Sequence, residues 1–347
     1  MSSPKRRIGL IAEGPTGRSA LESLLADFQV AFVVRSGGDE DAVVKLARSA
    51  GVEVLQCSRP SELLGILESY RPELTAISSF SRILPEDLVS QWDFINVHYS
   101  PLPEYRGRAN VNWAIINGEA MAAITVHRII AGLDAGPILV QQFVPIGPRA
   151  TATDLYEALN DLQQTALPRA VWLRLGGDSG TPQDESRASY ACTRLPEDGL
   201  ISWSDSSVEI DRLVRALTKP FPGAYTYYGL RKLEVRRACP VSDPPHYVGR
   251  IPGRVIGFDR VEGWVDVLAG EGVLRVFEVA LDGVSMAAAT IVRSVKSTLG
   301  IRVDELMQQL PLVSPLSGAP SSRHLSSSTA DSNASQKARG DIQEELG

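Results

Sequence analysis

Between residues 6 and 150 the apolar positions keep two alternating rhythms. RRIGLIA, VAFVVRS, VEVLQC, LTAISSF and FINVHY are short apolar runs that read as strands. Between them, RSALESLLADF, DEDAVVKLARSAG, SELLGILESY and EDLVSQW space their apolar residues as helices do. This alternation predicts a Rossmann-like α/β domain whose sheet is mostly parallel and covered by helices on both faces. Such sheets bind ligands outside the C-terminal ends of their strands. NVNWAIINGE then reads as a helix, AAITVHRII and ILVQQFVP as strands, and DLYEALNDLQQTALPRAVWLRLG as a long closing helix. The first domain is therefore expected over residues 1–175.

A polar, Gly-rich stretch, GGDSGTPQDESRAS, predicts a linker over 176–189. A second domain is expected over 190–310. It opens on a helix capped by Ser206 and Glu209 in an S-x-x-E pattern. AYTYYG, KLEVRRACPV, GRVIGFD, GWVDVLA and VLRVFEV follow as short, evenly spaced strands, the pattern of a small open β-barrel. Residues 311–347 are rich in Ser, Ala, Gly and charge, and read as a disordered tail.

At 347 residues the chain can bury two cores, and 44% hydrophobic with 22% charged content is ordinary for a globular protein. A net charge of −6 favours neither nucleic acid nor an acidic membrane as partner. Cys57, Cys192 and Cys239 are odd in number and far from any CxxC spacing, so free thiols in a reducing compartment are expected, and no zinc site. The opening MSSPKRRIGLIAEGP has too short an apolar run for a signal peptide, and no later segment has the length of a membrane span. A cytoplasmic protein is expected.

Two places could carry chemistry. GPTG at 14–17 follows the first strand and opens a helix, where a glycine turn can cradle phosphate. It lacks the full G-x-G-x-x-G and any GK[ST] ending, and a tight strand-to-helix turn needs glycine anyway, so a structural role is expected. The second is FINVHYSPLPEYRG, residues 94–107, in which Asn96 and His98 stand two apart on a strand and so share a face. Further on, GLDAG carries Asp134. A carboxylate near a histidine raises the imidazole pKa and fixes its tautomer, and an amide beside them can stabilise an oxyanion. Together they would serve acyl-type transfer. No G-x-S-x-G elbow offers a covalent serine route, so direct attack by an incoming nucleophile is the simpler mechanism. Taken alone, an N-x-H pair is equally what a satisfied structural pair produces. His127 reads as packing or a hydrogen bond, His246 as part of a loop, and His324 as part of the tail.

The block NVHYSPLPEYRGRAN, then NWAIINGE, then ITVHRIIAGLDAGPIL resembles the formyltransferase family that uses 10-formyltetrahydrofolate, whose usual pattern is N-x-H-x-S-L-L-P-x-Y-R-G followed by G-[LIV]-D-x-G. RLPEDGLISWSDSSVEIDRLVRAL and PFPGAYTYYGLRKLEV resemble that family's C-terminal domain, an open, OB-like β-barrel. The likeness covers most of residues 6–302. Pro101 departs from the leucine of SLLP, and Ile201-Ser202-Trp203 stands where I-D-W is common. The resemblance implies catalytic roles for Asn96, His98 and Asp134. A protonated His98 would help Asn96 stabilise the oxyanion, and Asp134 would raise the His98 pKa. It also implies folate contacts at Arg82, Ile83, Leu84 and Pro85, at Ile130, Ala131, Gly132 and Leu133, and at Arg108, with no metal.

The family divides by acceptor. Its transfer-RNA enzymes carry a basic inserted loop after the second strand. Here VVRSGGDEDAVVKLARSAGV is short and acidic at Asp39, Glu40 and Asp41, which argues against transfer RNA. YRGRA and the spacing from His98 to Asp134 are most similar to N-formyltransferases of UDP-4-amino-4-deoxyarabinose and related amino sugars, with N-hydroxyornithine formyltransferases as the alternative. A small-molecule amine is the expected partner, Arg106 and Arg108 could meet either a diphosphate or the folate's glutamate tail, and the layout allows a homodimer.

Overall fold

The computed structural model describes residues 4–37, 40–80, 82–302 and 306–307. The chain divides into a compact unit, Met1–Val303, and a second unit, Asp304–Gly347. The tail expected over 311–347 lies outside the described residues, as does His324.

The first half runs β1 (Arg7–Ala12), α1 (Gly14–Leu25), β2 (Gln29–Arg35), α2 (Ala42–Ser49), β3 (Glu53–Gln56), α3 (Leu63–Tyr70), β4 (Leu74–Ser78), α4 (Glu86–Gln91) and β5 (Phe94–His98). A two-residue β6 (Arg106–Gly107), α5 (Asn110–Asn117), β7 (Met121–Arg128), β8 (Ile138–Pro145) and α6 (Ala152–Leu175) complete it. The strands form one sheet in the order β3-β2-β1-β4-β5-β7-β8. The five strands up to β5 pair in parallel, whereas β7 runs antiparallel to both β5 and β8. The nine residues between β7 and β8 are too few for a parallel crossover, which takes a dozen or more.

Strand alternation divides the core between two faces. Ile8, Leu10 and Ala12 pack with Leu21 and Leu24 of α1 and with Leu159, Leu167 and Ala170 of α6. On the other face, Ile11, Phe32, Val34, Ile77 and Phe94 meet Leu63 and Leu67 of α3 and Leu88 of α4. Burying each large side chain contributes about 1.5–3 kcal/mol. The faces on either side of β5 are thereby committed to packing, and its C-terminal end is left to open on a cleft.

GPTG forms the first turn of α1 itself. The Gly14 N–H donates to Asp41 Oδ2 at 3.0 Å, and the same carboxylate caps α2 through the N–H groups of Val43 and Val44 and pairs with Arg35 at 3.2 Å. A side-chain carboxylate thus occupies the place a phosphate would take, so the turn is structural. Asp41 is consequently not a free surface charge, and Glu40 pairs with Arg48. The stretch expected to repel phosphate therefore presents less negative charge than its sequence suggests.

The second half carries β9 (Tyr190–Ala191), α7 (Ser207–Ala216), β10 (Ala224–Tyr228), β11 (Arg231–Pro240), β12 (Val255–Phe258), β13 (Val265–Leu268), β14 (Val273–Leu281), β15 (Val284–Ala287) and α8 (Ala288–Ile291). Apart from β9, these strands form an antiparallel sheet in the order β10-β11-β14-β13-β12, with β15 also on β14. Thr298 and Leu299 bridge Arg254, beside one edge strand, and Tyr228, on the other, drawing the edges of the sheet toward a common segment. The expected cap of α7 is present: Glu209 N–H donates to Ser206 Oγ at 3.2 Å, and Ser206 N–H to Glu209 Oε2 at 2.8 Å.

Candidate active site

Asn96 and His98 project from the same face of β5, and the loop after β7 brings Asp134 onto that face. All three line a cleft of about 830 Å³, together with Arg82, Ile83, Leu84, Arg108, Ile130, Ala131, Gly132 and Leu133. Of the residues expected there, Pro85 alone does not line it. Pro85 instead precedes the first residue of α4, where its fixed φ suits a helix start.

His98 is 5% exposed. Its Nε2 lies 2.9 Å from the carbonyl oxygen of Tyr105, which can only accept, so Nε2 carries the proton. Asn110 meets the same nitrogen. With its amide oxygen toward the ring, Asn110 Oδ1 accepts from Nε2 at 2.9 Å while Nδ2 donates to the carbonyls of Arg108 and Tyr105 at 3.1 and 3.2 Å. This leaves Nδ1 as the lone-pair nitrogen, 3.6 Å from Asp134 Oδ2. The tautomer is therefore set by Tyr105 and Asn110, not by Asp134 as expected from sequence.

Asp134 is shared between two imidazoles. Its Oδ1 lies 3.6 Å from His127 Nε2, and its Oδ2 accepts from the Gly107 N–H at 2.9 Å. His127 Nδ1 donates to the Arg128 carbonyl at 2.8 Å, so its Nε2 is free to accept. Asn96 Nδ2 lies 3.3 Å from that Nε2, which spends one amide N–H and leaves the second for a ligand. Gly136 is required by close approach here: a Cβ on it would stand 1.7 Å from the Arg128 carbonyl oxygen.

Burial alone would raise the Asp134 carboxyl; the flanking His127 and His98, wherever they turn a proton toward it, and the Gly107 N–H outweigh this and hold the group at about 2. Asp134 is thus ionised at any physiological pH. His98 goes the other way: burial pushes its pKa below the ordinary histidine value, the Asp134 charge opposes this, and His127 adds to it. Burial wins. The resting histidine is therefore neutral, with its Nδ1 lone pair facing a carboxylate, and the protonated His98 that the resemblance implies for oxyanion stabilisation is not the resting form.

Below about pH 6.5 the unfolded chain protonates His98 while the folded chain resists, so acidification favours unfolding. Denaturant titrations at pH 7 and 5.5 should show a loss of stability in the wild type that is smaller in His98→Gln. An equal loss in both would contradict the assignment.

The remaining expected residues are less uniform. Arg82 donates to the Ser58 carbonyl, and Ile83 stands 82% exposed at the rim. Arg108 is exposed and its guanidinium makes no hydrogen bond or ion pair among the described residues. Arg106 is 1% exposed and held bidentate by Glu185 at 2.6 and 2.9 Å, so it cannot meet a diphosphate. Two residues of the site were not singled out as such from sequence, His127 and Asn110. The signal for His127 is its antiparallel register with Asn96, a long-range pairing.

The formyl transferase family profile matches residues 34–171, and the profile of the formyl transferase C-terminal domain matches residues 195–296. Among solved structures, HypX from Aquifex aeolicus in complex with tetrahydrofolic acid aligns with a TM-score of 0.58 at 18% identity, over 83% of this chain and 47% of that one. This chain thus spans about half the length of the HypX chains it matches. WlaRD, a sugar 3N-formyl transferase solved with dTDP and 5-N-formyl-THF, aligns at 0.58 and 17% identity over 79% of this chain and 97% of its own. An N-formyltransferase from Helicobacter canadensis, in complex with folinic acid and dTDP-3-aminofucose, aligns at 0.57 and 18% over 78% and 98%. At these identities the likeness is one of fold. The two profile matches span well over half of the sequence and coincide with the α/β sheet and the antiparallel sheet in turn, so the chain belongs to the formyl transferase family.

Proposed function

We propose that the cleft moves a formyl group from 10-formyltetrahydrofolate to the primary amine of a small molecule, and that a nucleotide-linked amino sugar is the acceptor. The observation that carries this is the meeting of Asn96, His98 and Asp134 in one cleft, which offers a neutral histidine, an ionised carboxylate and a spare amide N–H together. Residues 1–175 would form the transfer domain and residues 190–310 would help frame the acceptor, in a cytoplasmic enzyme.

The donor is a substrate that brings a formyl group on N10. The cleft suits it: Ile83, Leu133 and Ile130 are 82%, 51% and 41% exposed, an unusual concentration of bare apolar side chains for a flat ring system to cover. Backbone groups of 82–84 and 130–133 lie beside them to meet its polar edge. Folate-type ligands in the HypX, WlaRD and Helicobacter structures support the same donor class.

When an amine attacks a formyl carbon, negative charge grows on the formyl oxygen and the amine nitrogen becomes acidic. The unspent N–H of Asn96 would receive the oxygen. Nδ1 of His98 would accept the amine proton, and Asp134 would stabilise the imidazolium so formed. That proton then passes to the departing nitrogen. One C–N bond forms, one breaks, and a formamide and tetrahydrofolate leave.

The acceptor class rests on YRGRA, on Arg108, which lines the cleft with no guanidinium partner among the described residues, and on the dTDP of the WlaRD structure and the dTDP-3-aminofucose of the Helicobacter one. N-hydroxyornithine is the alternative, and transfer RNA the least supported. A mass-spectrometric screen tests this. Purified protein with 10-formyltetrahydrofolate is offered nucleotide amino sugars, N-hydroxyornithine and charged methionyl-tRNA. A product one formyl group heavier from an amino sugar is expected, whereas formylation of the tRNA alone would overturn the acceptor assignment.

A further inference from the structure

Asp134 adopts φ 48°, a left-handed conformation that a side chain-bearing residue keeps only when its neighbours hold it there. Its carboxylate is held by the Gly107 N–H at 2.9 Å. Its backbone is held from elsewhere. Gln183 Nε2 donates to the carbonyls of both Asp134 and Gly136, each at 2.7 Å, from within the stretch that sequence reads as a linker.

Gln183 is itself clamped. Its Oε1 accepts from Arg106 at 2.8 and 3.2 Å, and the opposite edge of that guanidinium is taken by Glu185. Around this relay, the stretch 181–191 is stitched to both loops of the site. Thr181 and Ile138 exchange two backbone hydrogen bonds at 2.8 Å, just beyond Asp134. Arg106 N–H donates to the Ser189 carbonyl at 2.8 Å, and β6 pairs with β9 through Arg106 with Tyr190 and Gly107 with Ala191. Gly107, whose N–H holds the Asp134 carboxylate, has φ 103°, and a Cβ on it would stand 2.8 Å from the Ala191 carbonyl oxygen. One segment therefore fixes the donor and the acceptor of the Gly107–Asp134 hydrogen bond.

We propose that Gln183 is a positioning residue for Asp134, and that residues 181–191 form a brace joining the loop after His98 to the loop that carries Asp134. This builds on the formyl-transfer role given to the cleft. Gln183 touches no reacting atom. It sets the peptide of Asp134, and through it the distance of the carboxylate from His98.

Two substitutions test it. Gln183→Met keeps the length and removes every hydrogen bond. Gln183→Glu keeps an acceptor for Arg106 and loses both N–H donors, so the packing of the brace survives even if the methionine variant fails to fold. Both should lower kcat about 10- to 100-fold, as displacement of a reacting group does, with KM for donor and acceptor within about threefold of wild type. Amide exchange at Gly107 should accelerate by at least tenfold in both, because its acceptor has moved. Arg231→Ala, which removes only an exposed pair with Asp282 on the antiparallel sheet, should change neither readout. Unchanged Gly107 exchange in Gln183→Glu would overturn the brace. Accelerated exchange with unchanged kcat would overturn the positioning role. Exchange needs no substrate, so a wild type that formylates no amine would defeat the proposed function while the brace is still judged on Gly107.

Discussion

Replacing His98 by alanine should slow formyl transfer about 10²- to 10⁴-fold, the range that a positioned proton acceptor contributes. The other imidazole of the cleft is not placed to take over. His127 has its Nδ1 proton committed to the Arg128 carbonyl and its Nε2 turned to Asn96 and Asp134. The fold should survive, because His98 ends its strand at the mouth of a cleft that water can enter, and the strand itself is held by Phe94 and Ile95. Loss of the imidazole strands the Asn110 amide oxygen and leaves the Tyr105 carbonyl to Asn110 alone, at a cost of about 1–3 kcal/mol where water does not replace it. His98→Gln is the sharper variant, since its amide N–H can still reach Tyr105. It should be as inactive as the alanine variant and more stable. Steady-state kinetics with a denaturation curve for each checks this, and wild-type turnover in either would remove His98 from the mechanism.

Asp134→Asn should also be severe. Its own term is the attraction between carboxylate and imidazolium, and at 3.6 Å this is roughly 1–4 kcal/mol between the dielectric of water and that near a protein surface. That corresponds to about 10- to 10³-fold in rate. The amide keeps an oxygen for Gly107 but places an N–H or a neutral oxygen against the histidines. Since the two residues act as one unit, His98→Ala combined with Asp134→Asn should be little slower than His98→Ala alone. Additive losses would mean that they work separately. Stability offers a second reading of the same substitution. With a folded pKa of about 2 against an ordinary value of 3.8, Asp134 contributes roughly 2 kcal/mol at neutral pH. The contribution is full above about pH 5 and fades as the pH falls through 4 toward 2. That acid-limb loss should disappear in the asparagine variant.

Much of the fold is legible in the chain because each element carries its own local period. Ile8, Leu10 and Ile11 announce a strand buried on two faces, and Ser206 with Glu209 announces a helix start. The antiparallel turn of β7 and β8 is a matter of loop length and is harder to read. What local pattern could not convey is pairing. His127 looks like one polar residue in an apolar strand until its register sets it beside Asn96. Gln183 sits in a polar, glycine-rich stretch whose composition reports compatibility with water and says nothing of the carbonyls it reaches. Arg106 looks like a ligand-binding residue because arginine beside a turn is usually exposed, whereas here Glu185 and Gln183 accompany it into the interior. The charge state of His98 was misread for a related reason: sequence displays the neighbouring carboxylate but not the depth of burial that outweighs it.

The central claim is that Asn96, His98 and Asp134 together move a formyl group from a folate nitrogen to an amine. A single-turnover experiment with 10-formyltetrahydrofolate labelled with ¹³C in its formyl group tests it most directly. Excess wild-type protein, labelled donor and a nucleotide amino sugar are mixed, quenched and followed by ¹³C NMR. The label should pass into a formamide on the sugar, with tetrahydrofolate released in equal amount, and should stay on the folate in His98→Ala and Asp134→Asn. Label that appears as free formate in the wild type, or that reaches the amine at the wild-type rate in either variant, would contradict it.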